Sequence, residues 1–466
     1  MKYILLSGGS ATGLWPLSNS VRSKQFLKLF QNEEGVLESS VQILWKQLKN
    51  LQLDKHSVFV TNAQQSDLVL NQCGSNIKVI EEPIQKGTFA AVCLAALYMK
   101  DFGQCSGDEW LAIVPVDIVV EPAFLQVMQQ LPESASQYNA EMALLGITPK
   151  YTAPQYGYID LALEENSDSR VSRIKQFIEK PSTEVAKQLI QRGALWNSGV
   201  YVFQIKTLIQ VLRTFSLPLH YEQFVAQYDM VDSISFDYAV VEQMKRGIVY
   251  HYEGEWHDIG SWDRLAEKLT TEQIGAGFIK GQCENSHILN ELLLPIHVVD
   301  VDNVIVAASY EGILVTNKQT SNDIKHEEKA NRSMSPLFEE RDWGSYRVLE
   351  LFNNVDGKDV LVKHIQLSEG KNISYQRHQY RSECWTIIEG EGELILNHVV
   401  RRVKAGDVIQ IDVGQLHALK ALTNLQLIEV QSGSLLLQED IERIFIEWNE
   451  ITEYVEVVQA TKEIGR

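Results

Sequence analysis

Cysteine is scarce in this chain of 466 residues and never paired in spacing: Cys73, Cys93, Cys105, Cys283 and Cys384 include no Cys-x-x-Cys. Their odd number and irregular spacing argue against a disulfide framework and for a reducing compartment. Long apolar runs are missing as well, so no membrane span is expected. The opening MKYILLSGGS has one lysine and a short apolar run before glycine, which reads as a buried first strand and not as an export signal. Together these absences set the expectation of a cytoplasmic protein without a membrane partner. Positive charge is also in deficit, with 42 Lys and Arg against 61 Asp and Glu and a net charge of −19. Such a chain does not bind nucleic acid or anionic lipid nonspecifically. A phosphate-bearing ligand would need a local cluster of backbone N–H groups, lysine and metal to overcome the overall field.

The length exceeds one ordinary core and predicts two or three domains, and 45% hydrophobic with 22% charged residues is a soluble globular composition. Residues 1–270 alternate apolar runs (Tyr3–Leu6, Val58–Thr61, Lys78–Ile80, Trp110–Val114, Met142–Gly146) with helical stretches such as Ser39–Leu51 and Thr88–Lys100. That alternation predicts an α/β domain with a parallel, doubly wound sheet and ligands at the carboxyl ends of its strands. Residues 275–330 switch to short strands with polar turns, His287–Leu289, His297–Val299, Val304–Ala308 and Gly312–Val315, read as a small β, solenoid-like connector. The polar run Asn322–Ser335 reads as a linker, residues 336–450 as an all-β barrel, and Leu437–Ile451 as a helix. Neither an internal repeat nor a low-complexity tract is present.

Within the first domain, Leu6-Ser7-Gly8-Gly9-Ser10 closes the first strand. Glycines there let backbone N–H groups face a phosphate, although a plain tight turn explains them as well. The loop has neither the GK[ST] ending of a Walker A motif nor the GxGxxG spacing. Asp117, after the apolar run ending in Val114-Pro115-Val116, is placed as a carboxylate at a strand's carboxyl end could hold Mg²⁺, but a lone Asp there is more often a turn residue.

The larger pattern is more specific. LSGGSATGLWPLSNSVRSKQF resembles the LxGGxGTRLxPLTxxxPK loop of sugar-nucleotide pyrophosphorylases, in the guanylyltransferase form ending in KQF. In the order of that family follow Glu82-Pro83 with Lys86, Val114–Asp117, Tyr156-Gly157-Tyr158-Ile159, Phe177-Ile178-Glu179-Lys180-Pro181, Leu195–Val200 (LWNSGV), Ser235–Ala239 with Glu242, and Glu255–Trp262 (EWHDIGSW). The resemblance, to mannose-1-phosphate guanylyltransferases of the type fused to mannose-6-phosphate isomerases, implies a doubly wound, GT-A-like and Rossmann-like nucleotidyltransferase domain. It implies that Leu6, Ser7, Gly8, Gly9, Ser10, Glu82 and Lys86 bind the nucleotide, and that Gly157, Glu179 and Asn197 hold the sugar. Lys24 and Lys180 would pair with phosphates, and Asp117 and Asp258 would share one Mg²⁺. The chain departs from the pattern at Ala11, Gly13 and Ser23, where the family has Gly, Arg and Pro. Arg22 and Lys24 are the candidates to substitute for the arginine missing at 13; Gly13→Arg is expected to raise turnover if that loss is a defect, and to change nothing if another group has taken over its role.

In the third domain, Gly370, Gln376, His378, Glu383 and Gly390 fit the first cupin motif, and Gly406, Asp412, Gly414 and His417 the second. Alternate residues of a strand share a face, so Gln376 and His378 point the same way, and Glu383 and His417 complete an N/O set suited to Zn²⁺, Fe²⁺ or Mn²⁺. The segments RDWGSY (Arg341–Tyr346) and EVQSG (Glu429–Gly433) extend the same resemblance. The family's HHHRxEHW is HQYRSECW here, three histidines fewer.

The resemblance implies transfer of a nucleotidyl group, with GTP and mannose 1-phosphate as substrates, for polysaccharide or glycan precursor supply. Two alternatives stand beside it: isomerase chemistry in the cupin, and a sugar-nucleotide-binding protein without turnover. Exposed β edges also lead to the expectation of a homo-oligomer, a dimer.

Overall fold

The computed structural model describes residues 1–9, 13–103, 105–162, 170–318, 320, 336–355, 358–436 and 440–464. It divides into two compact units, Met1–Arg332 and Ser333–Arg466. The expected linker Asn322–Ser335 lies outside the described residues.

The first unit is built on a nine-stranded sheet in the order Val79–Glu82, Ser57–Asn62, Lys2–Leu6, Trp110–Pro115, Leu195–Gln204, Met142–Ile147, Gly247–Tyr252, Val171–Ile178, Tyr158–Leu161. Its first four strands are parallel, as strand–helix alternation predicts. The expectation of a wholly parallel sheet is corrected at its centre, where Leu195–Gln204 runs antiparallel to both neighbours. A register shift between Asn197 and Tyr201, around Gly199 at φ +79°, bends this strand.

Period-two burial separates two cores. Tyr3 and Leu5 join the cluster with Val41, Leu44 and Trp45, whereas Ile4 joins the cluster with Phe89, Val92 and Leu97 on the other face. Helix Ser40–Asn50 starts from a capping box in which Ser39 and Gln42 satisfy each other's backbone N–H groups. Helix Thr88–Asp101 is apolar nearly all round because strands and helices cover it on every side, with Phe89 through Leu97 buried without interruption.

The connector is a parallel β-solenoid. Gln273–Ile274, His287–Asn290 and Val304–Ser309 stack in parallel register, Gly277–Lys280 and Ile296–Val299 form a second ladder, and Gly312–Asn317 closes the stack antiparallel. It lies within the first compact unit and shares a core of Leu289, Ile305, Ala307 and Leu314 with Leu14, Leu17 and Trp262.

The second unit has a six-stranded and a five-stranded antiparallel sheet around Trp385, Ile387, Leu394, Ile409 and Leu427, the mostly β, cupin-like barrel that the motifs predict. The expected helix Leu437–Ile451 is corrected. Residues Glu442–Phe445 form an edge strand on Asn372–Arg377, and the helix runs Trp448–Ile464. Trp448, Ile451 and Val455, at helical spacing, pack on Tyr375, Ile395 and Ala418. Four residues cannot bury an amphipathic stripe, so pairing with an exposed edge decides the conformation of Glu442–Phe445. Among the described residues no helix is long and apolar enough to cross a membrane.

Candidate functional site

The strand ends of the first unit surround a cleft of about 320 Å³ lined by Leu6, Gly8, Gly9, Lys24, Asp117, Gly157, Glu179, Lys180, Asn197 and Asp258, residues drawn from seven separated segments. Of the sequence-derived set, Glu82 lies just behind the glycines, 3.1 Å from where a Gly8 Cβ would stand. Tyr228 donates a 2.7 Å hydrogen bond to it, while burial raises its carboxyl above the usual range. Ser7 is buried and its carbonyl accepts from Gln25 at 2.6 Å. Lys86 is directed elsewhere, donating to the Asp229 carbonyl at 2.6 Å. Ser10, with Ala11 and Thr12, lies outside the described residues.

At one end of the cleft a short ladder brings two carboxylates together: Ile118–Val120 pairs antiparallel with Trp256–Asp258, Ile118 opposite Asp258. Lys24 sits between them, its Nζ 2.7 Å from Asp117 and 3.7 Å from Asp258. Burial opposes the charge on Lys24, yet Asp117 and Asp258 outweigh it and hold the ammonium above its usual pKa. Asp258 is partly buried, and its desolvation opposes the charge, but Lys24 and Arg264 keep its carboxyl below the usual range.

Arg264 is absent from the sequence-derived set. It ion-pairs with Asp258 and lies 4.6 Å from the centre of the Tyr156 ring, which itself bonds Asp258. The only sequence signal was an arginine two helical positions past Trp262, without motif spacing to single it out.

The structure corrects Arg22 as a substitute for the missing loop arginine, and the effect of restoring that arginine. Arg22 is turned away, bonded to the Leu17 carbonyl at 2.6 Å and to Glu291 at 2.7 Å, whereas Lys24 lines the cleft between both aspartates. A Cβ on Gly13 would come within 2.4 Å of the Gly260 carbonyl oxygen, so no side chain fits. Gly13→Arg is therefore expected to lower the unfolding midpoint by several degrees, as a backbone collision in a packed core costs on the order of 1–3 kcal/mol. A thermal melt of the variant checks this, and an unchanged midpoint would mean that the loop relaxes around the new side chain.

At the other end, Asn197 donates to Tyr201 at 2.5 Å and to Asp237 at 3.1 Å, and Tyr201 also bonds Asp237. The bend at Gly199 places Asn197 and Tyr201 on one wall despite their separation in register. Glu179 lies against Gly157, whose Cβ would fall 2.6 Å from its Oε2, and pairs with Lys180 at 3.2 Å. Burial and then the neighbouring Asp237 push Glu179 up to about 7, against the pull of Lys180. Tyr201 and Asp237 were not in the predicted site set, although the segment holding Asp237 was singled out.

In the second unit His378, Glu383 and His417 converge, their candidate ligand atoms within 4.8 Å of one another. His378 Nε2 is 3.1 Å and His417 Nε2 3.7 Å from Glu383. Each imidazole bonds a carbonyl through Nδ1, Asp440 at 3.1 Å and Gln415 at 2.9 Å, while both Nε2 atoms lack a hydrogen-bond partner. That is the tautomer and orientation a metal-ligating histidine requires. Gln376 stands opposite His417 in the strand register, its side-chain carbonyl accepting from Ser374 at 2.7 Å. Arg381, Trp385 and Gln431 all donate to Glu383, at 3.0, 3.1 and 3.2 Å.

A Gly-rich strand end, a lysine between two carboxylates and a polar wall in a mixed α/β sheet define a nucleotidyltransferase. Residues 2–273 match the nucleotidyl transferase family, and residues 327–445 match the mannose-6-phosphate isomerase C-terminal family. The chain belongs to the nucleotidyl transferase family. It is 28% identical over 478 residues to the alginate biosynthesis protein AlgA of Pseudomonas aeruginosa, covering 95% of each chain. It is likewise 28% identical to the mannose-1-phosphate guanylyltransferase RfbM of Salmonella typhimurium, covering 95% of this chain and 96% of that one. A solved structure described as a mannose-1-phosphate geranyltransferase from Thermus thermophilus has the same fold, with a TM-score of 0.61 and 24% identity over 71% of this chain and 99% of that one.

Proposed function

We propose that the chain transfers a guanylyl group from GTP to mannose 1-phosphate, releasing pyrophosphate and forming GDP-mannose for polysaccharide precursor supply. The observation that carries this reading is Lys24 held between Asp117 and Asp258 at the mouth of the glycine turn. The hard oxygen donors of Asp117 and Asp258 fit Mg²⁺, which when bound would screen the charge between two anionic reactants. An oxygen of the sugar phosphate attacks the α-phosphorus of the nucleotide. One P–O bond forms, the α–β P–O bond breaks, and pyrophosphate leaves with its electron pair. The attacking phosphate is already anionic near neutral pH, so no general base is needed and the protein's task is alignment.

Gly8 and Gly9 offer backbone N–H groups to the nucleotide phosphates, and Lys24 supplies charge there. Lys180 faces the sugar phosphate from the other side. Glu179, Asn197 and Gly157 form the sugar wall, with Tyr201 and Asp237 orienting the Asn197 amide. Arg264 acts through Asp258 as a positioning residue.

The test is pyrophosphate release with Mg²⁺, four nucleoside triphosphates being paired with mannose, glucose and fucose 1-phosphates. Release with GTP and mannose 1-phosphate is expected, and release with another pair would replace the substrate assignment. Nucleotide binding without release from any pair would favour the binding-protein alternative.

A second reading concerns the cupin. The two open Nε2 atoms and Glu383 support a divalent transition metal there, and neutral imidazoles with one carboxylate suit Zn²⁺, Fe²⁺ or Mn²⁺.

The sugar wall gives a pH prediction. Glu179 is raised from 4.5 to about 7, so between those values the folded chain binds more protons than the unfolded chain. Its contribution is fully present below about pH 4.5 and is lost as pH rises through 7. The loss amounts to roughly 2–3 kcal/mol at full effect. Glu179→Gln is expected to flatten this part of the stability profile, as checked by urea unfolding at pH 5 and pH 8. An unchanged slope would assign it to other groups.

A further inference from the structure

The arc from Gly13 to Lys24 faces the cleft only at its end, and its outer side rests on the β-solenoid. Leu14 and Leu17 are fully buried among Leu289, Ile305, Ala307 and Leu314 of the solenoid. Three polar rungs fix the arc's backbone beyond this apolar seat. Ser309 donates its hydroxyl to the Pro16 carbonyl at 2.6 Å, and the Asn19 amide donates to Glu311 at 3.1 Å. Arg22, nine-tenths buried, joins Glu291 at 2.7 Å to the Leu17 carbonyl at 2.6 Å. Gly312, at φ +149°, lies so close that a Cβ there would meet the Trp15 ring at 2.7 Å.

The arc's other end carries this order into the site. Ser23 donates to the Gly9 carbonyl at 3.2 Å and accepts from Gln65 at 2.6 Å, and the next residue is Lys24. A glycine-rich loop has much conformational freedom to lose when a ligand orders it. A brace that pre-orders the loop removes that cost from binding.

We propose that the β-solenoid is a working part of the nucleotide site, with Glu291, Ser309 and Glu311 as positioning residues that set Gly9 and Lys24 through the arc Leu14–Ser23. The functional half of this inference rests on the nucleotidyl-transfer reading, whereas the brace itself does not.

The experiment compares the full chain with Glu291→Gln, Ser309→Ala and the double variant. Amide hydrogen exchange is followed over residues 7–24, with the strands Lys2–Leu6 and Trp110–Pro115 as internal controls for the fold. The expected result is exchange over 7–24 faster by roughly tenfold in the double variant with the control strands unchanged, together with a roughly tenfold rise in KM for GTP and a kcat within about threefold. Arg22→Met and Glu291→Met should be non-additive when combined, because they remove the same rung. Unchanged exchange over 7–24 would overturn the brace, as would acceleration spread equally over the control strands. Faster exchange with an unaltered KM would overturn its functional role. Should the unsubstituted chain release no pyrophosphate, the transfer reading fails by itself, and the Kd for GTP replaces KM as the readout of the brace.

Discussion

Asp117→Ala is expected to lower pyrophosphate release by about 10³-fold or more while leaving the fold intact, because it removes half of an oxygen donor set and leaves the lysine at its centre to the other half. In the native chain Lys24 is shared between Asp117 at 2.7 Å and Asp258 at 3.7 Å, so two carboxylates offset one partly buried ammonium. Without Asp117, Lys24 and Arg264 face Asp258 alone, and a carboxylate neutralised by two cations is a poor ligand for Mg²⁺. The fold tolerates the change because Asp117 is partly exposed, its side chain 32% accessible, and Asp258 still partners Lys24. Steady-state release measured against Mg²⁺ concentration checks both parts of the argument. The variant should need more Mg²⁺ as well as turn over slowly, and near-native turnover would remove Asp117 from the site. An unfolding midpoint close to that of the unsubstituted chain separates this loss from misfolding.

How far the sequence led is clearest where residue type and position both carried information. The glycines after the first strand, Asp117 and Asp258 each stand at a strand end, and the apolar runs that define those strands are legible as period-two or continuous burial. Their convergence followed from the order of the motifs, not from any one of them.

What the sequence hid were features made by tertiary pairing. Strand Leu195–Gln204 reads as a buried strand in either direction, and only its register with Trp110–Pro115 and Met142–Ile147 makes it antiparallel. Tyr201 lies four residues past Asn197, an even spacing, but the bend at Gly199 and not simple alternation sets it against Asp237. Arg264 looked like a solvated helical charge, and its role appears only once the helix from Trp262 is docked behind Asp258. The absence of a side chain at 13 read as a lost arginine, whereas the Gly260 carbonyl leaves no room for one.

In the barrel the spacing of the cupin motifs pointed to His378, Glu383 and His417, which converge, and the largest effect expected there is on Glu383. This carboxylate is buried, and His378, Arg381, Trp385, Gln431 and His417 surround it. Burial alone would raise its pKa, yet His378, His417 and Arg381 hold it far below the usual range. Its stabilising contribution is therefore present above the ordinary carboxylate range and is lost as pH falls below it.

Glu383→Gln preserves the volume and removes the charge, taking from the buried Arg381 the carboxylate at 3.0 Å while Asp440 stays at 3.7 Å. Breaking a buried charge network on one side costs about 3–5 kcal/mol, so the second unit is expected to unfold at markedly lower urea. Metal distinguishes this structural term from a ligand role. If the imidazole Nε2 atoms and Glu383 hold a divalent ion, the native chain carries about one equivalent by elemental analysis, and EDTA lowers its midpoint. Glu383→Gln should then carry far less metal and be insensitive to EDTA. If instead native and variant chains are equally metal-free and equally indifferent to EDTA, Glu383 is the hub of an ion-pair network alone. The two imidazoles facing Glu383 would then serve only to hold its charge.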